Sequence, residues 1–188
     1  VFFHAEKFNR DDMNEEYLKS VRQQFEYYQS IGEKAMAQLQ PEQLFVASND
    51  ASNSIATIVK HLWGNMLSRW TNFLTEDGEK DWRKRDEEFE VNNLTADEVL
   101  NLWKDGWQCL YNALHEIQPH QLLNMITIRN ESHTVVAAIN RQLAHYAYHV
   151  GQIVFVAKQI KHGDWDSLSI PKNKSAEFNA MKFGKKAT

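Results

Sequence analysis

The chain has 188 residues, 43% hydrophobic and 24% charged, with a formal net charge of -4 and a single cysteine. That length and composition suit one globular domain over 1–188 with a real core, and argue against disorder. The charge cluster "WRKRDEEFE" is mixed in sign, so no basic stripe is offered to nucleic acid, and one cysteine excludes an intrachain disulfide. No apolar run reaches the length of a membrane span and no signal-peptide pattern opens the chain, so a cytoplasmic protein is expected.

Four long helical patterns follow in chain order. Only 7 Gly and 3 Pro occur, which suits long helices rather than many tight β turns. The first helix is predicted over 14–39, where Leu18, Val21, Phe25, Tyr28, Gly32, Ala35 and Leu39 recur at three and four; Pro41 stops it. The second is predicted over 53–74, after the capping-type cluster "SNDASN". Its stripe is Ile55, Val59, Leu62, Trp63, Met66, Trp70 and Phe73, and "TEDGEK" breaks it.

The third helix is predicted over 96–118, opened by the capping box "TADE", in which Thr95 caps and Glu98 reaches back. The fourth is predicted over 133–161, with Ser132 or His133 as cap and Gly163 as stop. Between them, "NMITIRNES" has room for a short extended piece. The connection at 75–94 is long and polar, and the tail at 162–188 reads as largely irregular, with a helical turn near 175–183. Four amphipathic helices with a long crossover predict an all-α four-helix bundle.

Two places carry residues able to do chemistry. In "RQLAHYAYHVGQ" the spacing puts His145 and His149 on one side of the fourth helix, one turn apart. They flank the apolar stripe, with the uncharged Ala138, Gln142, Gln152 and Val156 as lengthwise neighbours. Spacing alone leaves two readings open: boundary histidines satisfied by carbonyls or water, or a pair of ligands. On the second helix, the side opposite the stripe carries Ser54, His61, Asn65, Ser68 and Asn72. A solvated face normally shows Lys, Glu and Arg, so this row implies a polar cleft or a covered polar surface. If the two helices face each other about 8–10 Å apart, three imidazoles can meet one metal ion and leave a position open.

The segments "SNSIATIVKHLWGNMLSRWTNFLTEDGEKDWRKRDEEF" (52–89) and "AAINRQLAHYAYHVGQIVFVAK" (137–158) resemble the DinB-like superfamily, which includes DinB, YfiT and bacillithiol-transferase proteins. The match runs from the first helix to about residue 170, and closest to it is a subfamily of small bacterial proteins of unknown function. Its specific part is a lone histidine in the second helix followed by HxxxH in the fourth. The resemblance implies a four-helix bundle binding one divalent metal, Ni or Zn, through His61, His145 and His149, often as a homodimer. It also implies a metal-dependent thiol S-transferase of detoxification or stress, with a low-molecular-weight thiol as cosubstrate and a small-molecule substrate. A metal-dependent hydrolase and a non-catalytic, metal-stabilised dimeric binding protein are the alternatives.

Asn65, Arg69, Gln142, Tyr148 and Gln152 are the groups placed to assist. Arg69 is either a partner for a substrate carboxylate or half of a rim salt bridge with the acidic loop. Gln152, one turn beyond His149, either fixes that ring or simply packs. His4, His115, His120, His133 and His162 read as surface or capping residues, and Cys109 as a buried inert thiol. Trp82 and Trp165 lie in connections, where they wall a cleft mouth or cover the ends of the bundle.

Overall fold

The computed structural model describes residues 10–184, so His4 lies outside the described residues, as do the last four residues of the tail. Five α-helices and one β-hairpin make up its regular elements: α1 (Arg10–Met36), α2 (Ile55–Trp70), α3 (Ala96–Glu116), β1 (Met125–Ile128), β2 (Glu131–Thr134), α4 (Val135–Lys161) and α5 (Ser175–Phe183). The chain is largely helical, as its periodicity implies. The exception is the hairpin, which falls in the stretch expected to hold an extended piece. None of the described helices is long and apolar enough to cross a membrane.

The ends of the helices follow local chemistry. Thr95 and Glu98 form the predicted capping box on α3. Ser54 caps α2, its side chain accepting from the Thr57 N–H. Helix α2 stops at Trp70 rather than 74, because Thr71 turns extended and Asn72 takes a left-handed φ of 50°, a conformation Asn tolerates better than most residues. Asn72 is therefore off the helical face to which its spacing assigned it. Thr134, not Ser132 or His133, caps α4, since β2 occupies the chain up to that point and the Thr134 hydroxyl accepts from the Ala137 N–H. At the far end His162 itself takes the positive φ, of 50°, so the turn falls one residue before Gly163.

Four long helices share one core. Helix α2 packs chiefly on α3 and α1 on α4, while α2 and α4 meet over a shorter seam. At the centre each helix contributes one aromatic ring: Phe25, Trp70, Trp107 and Tyr146. Phe25 lies 6.5, 6.3 and 5.9 Å from the other three centroids. Tilted and edge-on pairs at such spacings add to the burial of large apolar surface. Gly106 lets α3 approach α2 closely, since a Cβ there would stand 3.2 Å from the Trp63 Cα.

The connection from 71 to 95 does not hang free. The Gly78 N–H donates to the Thr127 carbonyl of β1 at 2.8 Å. The hairpin turn at Arg129 and Asn130 uses φ of 55° and 60°, the paired positive φ of a tight two-residue hairpin. Asp77 accepts from both backbone N–H groups of that turn, at 2.8 and 2.9 Å. The connection is thereby bound to the hairpin at one end. At the other it lies over α2 through a short 3-10 turn at Asp86–Phe89.

Candidate metal centre

His61 projects from α2 and His145 and His149 from α4 into the seam between the two helices. Their ring nitrogens lie within 4.8 Å of one another, and among the described residues they are the one group of three or more such side chains that could hold a metal ion. The centroids stand 4.7 Å apart for His145–His149, 4.9 Å for His61–His149 and 5.6 Å for His61–His145. His145 Nε2 and His149 Nε2 are 3.1 Å apart, a gap that holds either one proton or one ion. Two nitrogens at that spacing can both stand about 2.0–2.1 Å from an ion at an angle of roughly 100°, between the octahedral and tetrahedral values. The whole triangle is looser, and closing it asks for a modest movement of the His61 ring.

Two of the rings are fixed from behind. His61 Nδ1 lies 2.9 Å from Glu88 Oε2, and His149 Nδ1 lies 2.7 Å from Gln152 Oε1. Both partners are acceptors, so each Nδ1 carries the proton and each Nε2 keeps its lone pair. A carboxylate or amide behind a histidine is the usual means of setting the tautomer and aim of a ligand ring. Of the two readings its position leaves open, Gln152 makes the contact with the His149 ring.

Glu88 was not among the residues read from the sequence, and neither was its partner. Arg83 grips it twice, Nε to Oε1 at 2.7 Å and Nη2 to Oε2 at 3.0 Å. Both side chains are almost fully buried, at 1% and 6% exposure. Burial raises the Glu88 pKa, but the hydrogen bonds from His61 and Arg83 outweigh it and hold the carboxyl below its ordinary range. Gly64 makes the arrangement fit: a Cβ there would lie 2.5 Å from Glu88 Oε1. The signals available in advance were a glycine inside a well-formed helix and a small-polar helix face needing a cover.

That face is indeed covered. Ser54, Asn65, Ser68 and Arg69 are all buried, and Ser68 donates to the Gly78 carbonyl at 2.7 Å. Asn65 Oδ1 accepts from the Tyr146 hydroxyl at 3.1 Å, while that hydroxyl accepts from Trp70 Nε1 at 2.9 Å. This relay joins α2 to α4 one residue from His145. Arg69 does face the acidic loop, 3.5 Å from Glu79, but at 2% exposure it is buried rather than on a rim. Tyr148 is exposed, its ring 5.0 Å from that of His149. Gln142 is buried beside the core, and among the described residues neither of its amide atoms has a partner.

Electrostatics favour the ligand form of the rings. Burial first, then the neighbouring His149, His61 and arginines, pull the His145 pKa down to about 3. Burial also lowers His149. Both therefore stay neutral at physiological pH, and only neutral imidazole can bind a metal. A cavity of about 450 Å³ opens beside His61 and His145, with Asn65, Arg69 and Tyr148 also on its wall.

The remaining expectations concern the scaffold. His115, His120 and His162 are exposed, and His162 caps α4. His133 is half-buried on β2, 3.8 Å from Glu131. Cys109 is half-buried, with burial pushing its thiol pKa up, as an inert thiol requires. Trp82 is exposed over a shallow cleft near Glu88, and Trp165 packs against the core.

The elements and the cluster define a largely helical protein with three convergent histidines between two of its helices. The chain belongs to the family described as a protein of unknown function, DUF1572, which matches residues 12–174. No curated protein and no solved structure matches it.

Proposed function

We propose that this chain is a DinB-like four-helix-bundle metalloprotein that holds one divalent ion, nickel or zinc, through His61, His145 and His149, and acts as a metal-dependent thiol S-transferase. The observation that carries the reading is the triangle of ring nitrogens within 4.8 Å, two of its rings anchored through Nδ1. Three protein ligands leave a coordination position for an exchangeable group. The bound ion supplies Lewis acidity that lowers the pKa of a low-molecular-weight thiol to give a thiolate near neutral pH.

The chain's own residues do the rest. Arg83 holds Glu88, and Glu88 holds the His61 ring so that Nε2 faces the seam. Gln152 does the same for His149. The Trp70–Tyr146–Asn65 relay keeps α4 in register with α2. The cavity beside His61 and His145 gives substrate a way in, which favours an enzyme over a sealed structural site. Zinc- or nickel-loaded protein is expected to conjugate a test electrophile with at least one of bacillithiol, glutathione and coenzyme A, and His145→Ala to lose that turnover. Turnover that persists without metal, or none with any thiol, contradicts the transferase.

A further inference from the structure

The cavity beside the histidines is unusual in its charge. Four arginines from four parts of the chain line it: Arg69 of α2, Arg85 of the connection, Arg129 of the hairpin turn and Arg141 of α4. The chain as a whole is net negative, so the concentration of positive charge is local and built by the fold. One carboxylate serves three of these arginines. Glu79 pairs with Arg85, with Arg129 Nε at 3.1 Å and with Arg69 at 3.5 Å. Asp77, the other nearby carboxylate, accepts from the backbone N–H groups of Glu79, Arg129 and Asn130. Arg141 is exposed and makes no ion pair among the described residues. Even with both carboxylates counted, two positive charges are left over.

The inner end of the cavity is a guanidinium held in place. Arg69 is 2% exposed; its Nη1 donates to the Gly78 carbonyl and the Ser68 hydroxyl and pairs with Glu79, while its buried Nε has no hydrogen-bond partner among the described residues. Burial first, then the crowding of Arg83, Arg85 and Arg129, lowers the Arg69 pKa to about 10, against the pull of Glu79; it is still charged at neutral pH. Guanidinium groups suit the planar, forked recognition of carboxylate and phosphate oxygens. A cavity of about 450 Å³ is of the size that admits a small organic molecule.

We infer that this cavity binds a small organic dianion, a dicarboxylate or a phosphate monoester, with Arg69 and Arg141 as its anchors and the far end of the molecule directed at His61 and His145. The inference names the substrate class of the proposed metal enzyme and, in its last part, rests on that reading. Arg85 and Arg129 are positioning residues, held by Glu79 so that their charge faces the cavity. The wall that carries Arg129 is the hairpin turn, which Asp77 binds to the connection.

The test is calorimetric titration of the full chain at constant ionic strength with four probes: succinate, glycerol 3-phosphate, acetate and neutral succinamide. The expected result is that one or both dianions bind and that acetate and succinamide bind at least tenfold more weakly. The tighter dianion identifies the oxyanion. Loss of one charge-assisted contact in Arg141→Gln should weaken the dianion about tenfold, and Arg141→Glu more, while circular dichroism and melting temperature stay at wild-type values because the side chain is exposed. Equal binding of all four probes, or dianion binding unchanged in both Arg141 variants, overturns the inference. The same titrations with zinc-loaded and chelator-treated protein separate the two readings. Arg141-dependent binding by a chain that takes up no metal upholds the anion cavity and defeats the metal enzyme. A chain that loads zinc but shows no Arg141-dependent binding does the opposite.

Discussion

The two sides of the histidine cluster are built in different ways. On the α4 side, everything needed lies within one stretch of helix: His145, His149 and the Gln152 that aims His149 are spaced by four and three residues. On the α2 side, His61 is aimed by Glu88, 27 residues away in sequence, and Glu88 is held in turn by Arg83. Helical periodicity fixes the first set at once, because residues three and four apart share a face. The second set exists only after the connection has folded over α2. The α4 side is therefore set within one helix, whereas the α2 side ties the site to the fold through a buried ion pair.

That contrast can be broken at several points, and the largest effect is expected at Glu88. Glu88→Ala strips the partner from an Arg83 that is 1% exposed, and removing one half of a buried pair costs about 3–5 kcal/mol. Chemical denaturation should show that loss, and zinc affinity should fall with it. An unchanged midpoint would show that the connection does not hold the α2 side.

Gly64→Ala is the next test. The new Cβ would meet Glu88 Oε1 at 2.5 Å, and that oxygen is pinned by Arg83 and cannot swing away without breaking the pair. Overpacking of this kind costs about 1–3 kcal/mol, set against roughly 1 kcal/mol gained by replacing glycine inside a helix. A net destabilisation of about 1 kcal/mol is expected, with weaker zinc binding. Stabilisation by the full helix-propensity gain would mean that Glu88 is free to move.

On the α4 side, Gln152→Ala should leave the melting temperature close to wild type, yet weaken zinc binding about tenfold, the usual scale for losing a group behind a ligand histidine. A competitive chelator titration measures it. Equal affinity would assign Gln152 to packing alone.

Acid stability tests the α4 rings in a different way. His145 is pulled down to about 3 and His149 is also lowered, so the unfolded chain binds protons that the folded chain refuses. Their contribution is fully present above the ordinary histidine value of 6.5 and is lost as pH falls below it. The Glu88 contribution, from a lowered pKa, is lost only as pH falls below the ordinary 4.5. Between pH 6.5 and 4.5 the denaturation midpoint of chelator-treated protein should therefore decline, and His145→Gln should flatten that decline. An identical slope in the variant would count against the buried, neutral state of the ring.

The same contrast explains what was legible in the sequence. The four long helices, the Thr95–Glu98 box and the HxxxH pair are local patterns, and all three appear; the helix ends are displaced by up to four residues, α1 running over Arg10–Met36 rather than 14–39. His61 was also legible, since an uncharged face on α2 implied a cover. What covers it was not, because the contacts of Glu88, Arg83 and Gly78 are long-range and the connection reads only as polar. Arg69 shows the limit well: its partner in the acidic loop was foreseeable, whereas its burial depended on the hairpin and connection closing over it. The start of α4 slipped for a related reason, as β2 claimed Ser132 and His133 before Thr134 could cap.

The central claim, a divalent ion on three histidines, is tested most directly by elemental analysis of purified protein after dialysis against zinc or nickel. The expected result is one ion per chain in the wild type and a marked loss in His61→Ala, His145→Ala and His149→Ala, each still helical by circular dichroism. A wild-type chain that retains no ion, or folded variants that retain it at full stoichiometry, would contradict the account.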